Sequence, residues 1–198
     1  MKLTKEFLKE NNACPEGYKW ACENNLIGLE HEEVIKKLIA NGRLMEADWL
    51  MERSLNRDQL VKYILNAASV AIRVFQNSYE DKNVDKALEI AHKYIKMDKT
   101  PNNFHQILEE ISPIIDELVN EIQYKNIKEP LCFAINTARH LAETIESVIK
   151  ETLDGGISYD VLRCATWTIV HSRKVVEYDK EVMESFLYQG LKLLQNNS

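Results

Sequence analysis

The recurrence of apolar residues once per helical turn is what most limits the folds open to this chain. Leu60, Ile64, Ala67, Ala68, Ala71, Val74 and Phe75 fall at three- and four-residue steps, and Val84, Ala87, Leu88, Ala91, Tyr94 and Ile95 resume the pattern after a polar break. That spacing predicts two amphipathic helices joined by a loop over Asn77–Asn83. Alanines on both stripes let backbones approach closely, so the expectation is an antiparallel helical hairpin with its seam toward a core. With only 6 Gly and 4 Pro in 198 residues, the chain also lacks the turn residues that strand-rich folds need. The fold class read from these features is all-α, a multi-helix bundle of stacked antiparallel hairpins. A single domain over residues 1–198 is expected, with Gly155-Gly156 as its hinge.

Local signals place the other helices. Thr4 caps a short helix at Lys5–Lys9, and Cys14-Pro15-Glu16 opens the next, proline being tolerated in a first turn. His31–Ala40 is closed by Asn41-Gly42, and Arg43–Leu55 follows it. Asn56 with Gln59 three residues on has the form of a capping box. Phe104–Tyr124 carries an isoleucine-rich stripe broken by Pro113, where a kink or a restart capped by Ser112 is expected. Further helices run from Lys128-Glu129-Pro130 to about Leu153, from Ser158 or Asp160 to about Val175, and onward from an Asp179 cap.

Composition excludes several function classes. A formal charge of −6 argues against nonspecific nucleic-acid binding, which needs clustered Lys and Arg. No run approaches the roughly 20 apolar residues of a membrane span. The opening MKLTKEFLKENN has no apolar leader region, so a cytoplasmic location is expected. Cys14, Cys22, Cys132 and Cys164 match no paired CxxC metal frame and are expected as reduced thiols. Glu89 and His92 fit one Glu-x-x-His element of a di-iron bundle, but the second element such a site requires is missing. Neither catalytic residues, nor a metal site, nor a cofactor is expected.

Two stretches remain as candidate surfaces. Between Thr100 and Tyr124 there is no Lys or Arg, while Glu109, Glu110, Asp116, Glu117 and Glu121 crowd the face opposite the isoleucines. With Tyr124 as an aromatic anchor, this face suits a basic partner protein; it equally suits an ordinary solvated face. Arg163, Trp167 and His171 recur at four-residue steps, with Arg173 close behind. A guanidinium beside an indole seats a planar anionic ligand, or packs as an aromatic edge against the next helix.

Several short stretches carry a resemblance. They are Asn12–Trp20, Leu38–Gly42, Glu46–Leu50, Lys62-Tyr63, Ala67-Ala68, Asp85–Tyr94 and the final Gly190–Leu194. Through them the chain resembles a family of helical immunity proteins of bacteria and their phages, of the immunity-protein-five-like kind, mainly over residues 1–95 and at the C-terminus. The resemblance implies an all-α, non-enzymatic protein that neutralises a toxin or defence protein by covering its working surface. It supplies no catalytic residues, and it weakens over about residues 96–156, where the acidic face lies. The leading expectation is therefore an immunity or counter-defence factor acting by occlusion through the acidic face. The alternative is a phage-type binder that sequesters a nucleotide immune signal or another small anionic ligand at Arg163, Trp167, His171 and Arg173. A homo-oligomer is compatible with either.

Overall fold

The computed structural model describes residues 1–76, 82–124, 129–154, 159–176 and 179–195, with side chains except at 73–76, 121, 123–124, 129–131, 154, 159–160 and 162. Among the described residues there are ten α-helices and no strand; Lys2 and Glu30 form an isolated antiparallel bridge. The fold is all-α, as the periodicity requires. The chain divides into two compact units, Met1–Leu55 with Leu187–Ser198, and Asn56–Phe186.

Unit 1 contains α1 (Lys5–Glu10), α2 (Pro15–Glu23), α3 (His31–Ala40), α4 (Leu44–Ser54) and the last part of α10 (Lys180–Gln195). Its helix ends are set by side chains close in sequence. Thr4 Oγ1 accepts from the Phe7 N–H at 3.0 Å, and the Cys14 Sγ accepts from the Gly17 N–H at 3.3 Å. Gly42, at φ +69°, ends α3 by donating to the Ile39 carbonyl at 2.9 Å, a left-handed conformation that costs glycine little. Leu3, Ile35, Ala47, Leu50 and Met51 are buried in this unit, as are Leu187 and Leu191 of α10. Gln195 closes the returning segment with a hydrogen bond to Glu32 at 2.7 Å.

Unit 2 holds α5 (Arg57–Gln76), α6 (Lys82–Lys96), α7 (Pro101–Tyr124), α8 (Glu129–Asp154), α9 (Tyr159–Val175) and the start of α10. The Asn56–Gln59 capping box forms reciprocally: each backbone N–H donates to the other's side-chain oxygen at 3.0 Å. Arg57 then clamps α5 to α8 through a bidentate pair with Glu151, at 2.9 and 3.0 Å. The central element is α8, which packs on α5, α6, α7 and α9. Ala134, Ile135, Ala138, Leu141, Ala142, Ile145 and Ile149 are buried along it. Thr137, Thr144, Thr168 and Ser172 are fully buried, and each hydroxyl donates to the carbonyl one turn back, which satisfies it inside the core.

Two expectations change here. The stripe on α5 does not serve chiefly a seam with α6: α5 packs more extensively on α9 and α8. Ala71 belongs to a cluster with Ala134, Val175 and Val176, so its small side chain admits α8 and the end of α9. And of the two outcomes expected at Pro113 the restart is excluded, because α7 runs through it as one helix. Ser112 is not a cap; its hydroxyl donates to Glu146 of α8 at 2.8 Å. The hinge placed at Gly155-Gly156, most of the loop at Asn77–Asn83, and Val74 and Phe75 as side chains lie outside the described residues.

Candidate functional site between α8 and α9

A cavity of about 380 Å³ opens in unit 2, lined by residues of α7, α8 and α9 that include Arg139, His140, Glu143, Arg163, Cys164 and Trp167. Helical phase assembles it. His140 and Glu143 stand one turn apart on α8, and Arg163 and Trp167 one turn apart on α9, with Cys164 between them on the inner side. Trp167 is 46% exposed, unusually so for an indole, while His140 and Cys164 are buried.

The rings form one stack. The His140 and His171 planes lie 9° apart with centroids 5.2 Å apart, and Trp167 stacks on both, at 6.2 Å from His140 and 5.5 Å from His171. Glu143 ties the wall together. One of its oxygens accepts from Arg139 Nε at 2.8 Å, and the other lies 2.8 Å from His140 Nδ1. Burial works to raise the Glu143 carboxyl, but these hydrogen bonds outweigh it and hold the pKa down to about 2, so the group is a carboxylate. His171 is pushed down to about 4, by burial first and then by the charge on His140, against its hydrogen bond to the Trp167 carbonyl. It is a neutral ring in the stack at neutral pH. Glu146, the other carboxylate of the lining, pairs with Lys150 at 3.0 Å. The exposed Arg163 also stands in the lining, on the α9 side.

Of the ligand residues read from the sequence, Arg163 and Trp167 line the cavity and His171 backs it as part of the stack. Arg173 is not brought in: it is buried, and two residues past His171 turns it about 200° around the helix. Sequence reading passed over Arg139, His140, Glu143 and Cys164. The His140-x-x-Glu143 spacing was a usable signal, since i and i+3 share a helix face; Cys164 could not be joined to it without the fold.

The acidic face of α7 is only partly open. Glu110 pairs with Lys93 of α6 at 2.5 Å. Glu109, Asp116 and Glu117 are exposed, and among the described residues no ion pair involves them. The side chains of Glu121 and Tyr124 lie outside the described residues. Glu89 and His92 are both exposed.

A second, more apolar cavity of about 430 Å³ lies within unit 1, lined by Leu8, Trp20, Leu38 and Trp49 among others. Its charged lining is turned on itself. Arg43 pairs with Glu46 and with Glu16, and its guanidinium lies 4.9 Å above the Trp20 ring.

Among protein families, a model described as the YdhT N-terminal domain matches residues 1–58. That stretch nearly coincides with the N-terminal segment of unit 1. It overturns the immunity-family resemblance, which leaned on residues in this same region: Cys14–Trp20 and Glu46–Leu50 are helix-opening and aromatic-anchor patterns that unrelated helical families can share. Comparisons with curated proteins and with solved structures give no match.

Proposed function

We propose that this protein is a non-enzymatic binding protein whose working site is the α8–α9 cavity, and that its ligand is a small anion bearing a planar ring, such as a nucleoside phosphate. The observation that carries the reading is the half-exposed Trp167 ring, stacked with His171 and His140 beside a cavity with Arg163 in its lining. An indole held this way offers a flat apolar face, and the guanidinium offers paired donors for phosphate or carboxylate oxygens. The stack fixes the indole before binding, so little side-chain entropy remains to be lost. A reducing, cytoplasmic setting fits the reading, because none of the four cysteines is in a disulfide.

Isothermal titration of the full chain with a panel of nucleoside mono-, di- and triphosphates tests it. Saturable binding by at least one of them is expected, weakened about tenfold or more by Trp167→Ala and by Arg163→Ala. Binding indifferent to both substitutions, or none across the panel at millimolar concentration, overturns the reading.

A second reading rests on the exposed Glu109, Asp116 and Glu117, which suit docking against a basic protein surface. Reversing all three to lysine then abolishes partner capture, with the helical circular dichroism unchanged; unchanged capture defeats this reading.

A further inference from the structure

We infer that His140, Glu143 and Cys164 form a binding site for a divalent transition-metal ion of the Zn²⁺ class, open to the cavity on its fourth side. One ligand atom of each residue lies within 4.8 Å of the others. The Cys164 Sγ is 3.8 Å from the Glu143 oxygen that His140 Nδ1 approaches at 2.8 Å. Donors around a tetrahedral Zn²⁺, with arms of about 2.0–2.3 Å, sit roughly 3.2–3.8 Å apart. The thiol–carboxylate spacing already meets that figure, and the imidazole needs to withdraw from the carboxylate by a fraction of an ångström.

The donor chemistry selects the ion. A thiolate with an imidazole favours Zn²⁺, Co²⁺ or Cu over Mg²⁺ and Ca²⁺, which seek oxygen alone. The surroundings also fit. Arg139 occupies the outer oxygen of Glu143, which turns the inner oxygen toward His140 and Cys164. The parallel ring of His171 holds the plane of His140. Partners of this kind, behind the ligands, are what orient metal sites. Cys164 is buried, 6% exposed, with its thiol beside the Glu143 carboxylate. With three protein donors on one wall and a cavity in front, the remaining position is left to water or to an oxygen of a bound ligand. The ion takes Cys164 as a thiolate, so binding releases the thiol proton.

The ion shares the cavity of the proposed anion, but it rests on different atoms and is tested with no anion present, so either can fail alone. The experiment is titration of the chelator-treated full chain with Co²⁺, followed by Zn²⁺. One equivalent of Co²⁺ produces a thiolate-to-cobalt charge-transfer band in the near ultraviolet, and Zn²⁺ displaces it. Cys164→Ser removes the band; Cys132→Ser, at a cysteine outside the cluster, keeps it. Glu143→Gln, which keeps the side-chain shape, retains the band with affinity lowered about tenfold or more. Circular dichroism checks that the variants fold, and should Cys164→Ser not fold, the Glu143→Gln titration decides. No stoichiometric uptake, a band that survives Cys164→Ser, or affinity unchanged in Glu143→Gln overturns the inference.

Discussion

Protonating His31 adds a charge where the fold gives it no partner. The Ser54 hydroxyl donates to the Leu50 carbonyl, so it accepts from His31 Nδ1 at 2.8 Å, which fixes the proton on Nδ1. Nε2 is then a bare nitrogen, buried without a hydrogen-bond partner, with the Phe7 ring centred 4.6 Å away from the imidazole. Burial first, and the N-terminal ammonium second, push its pKa down to about 4. A folded-state value below the unfolded one means the unfolded chain takes up the proton first as the pH falls. The stability is present in full above about pH 6.5 and is lost as the pH drops toward 4. Between pH 7 and pH 5 this removes about 2 kcal/mol. His171, depressed to a similar value, acts in the same window and the same direction. His31→Asn keeps a donor toward Ser54 and removes the titrating nitrogen. Urea midpoints at the two pH values should then fall less steeply than in the wild type, and a slope as steep as the wild type's would show that His31 is not the group responsible.

At the scale of the helix, α7 carries a cost that its neighbours offset. Pro113 is exposed and lies inside the helix, so it packs little and deprives the Glu109 carbonyl of its N–H partner. Ile107, Ile111, Ile114 and Leu118 are all buried on the face toward the core, and Ser112 is tied to Glu146. That packing keeps one continuous helix where local propensity favours a break. Pro113→Ala restores a backbone hydrogen bond without removing a buried contact, and should raise the stability of unit 2 by about 1–2 kcal/mol. A lowered or unmoved denaturation midpoint would mean that the backbone here is already relaxed around the proline. Here also the sequence reaches its limit. Features set within one or two turns were legible: the Asn56–Gln59 box, the Thr4 cap, the bounds of α3 and the Asp179 cap, whose carboxylate accepts from the Val182 N–H at 3.0 Å. Features that need two helices were not. Continuity through Pro113 depends on α8, the small face of Ala71 on α8 and α9, and the His140–Glu143–Cys164 cluster on a residue 21 positions beyond the carboxylate. The misplacement of Arg173 is different in kind, because counting 100° per residue from His171 would have excluded it.

For the molecule as a whole, the division into units does not follow chain order. Leu187–Ser198 is grouped with Met1–Leu55, so unit 1 joins two segments that are far apart along the chain. Leu187 and Leu191 are 1% and 4% exposed, and both fall in the segment grouped with unit 1. No helix among the described residues is long and apolar enough to cross a membrane. The match to residues 1–58 therefore spans most of unit 1 but omits the segment that closes it. Truncating a buried leucine to alanine costs about 2–5 kcal/mol, through lost transfer energy and the cavity left behind. In a Trp167→Phe background the remaining tryptophans, Trp20 and Trp49, both lie in unit 1 and report on it alone. Leu191→Ala should lower the denaturation midpoint of their fluorescence, and Leu187→Ala with it should lower it further. The two leucines sit one turn apart and share neighbours, so the pair need not add. A midpoint that stays put in both variants would show that the N-terminal helices hold their core without the C-terminal segment.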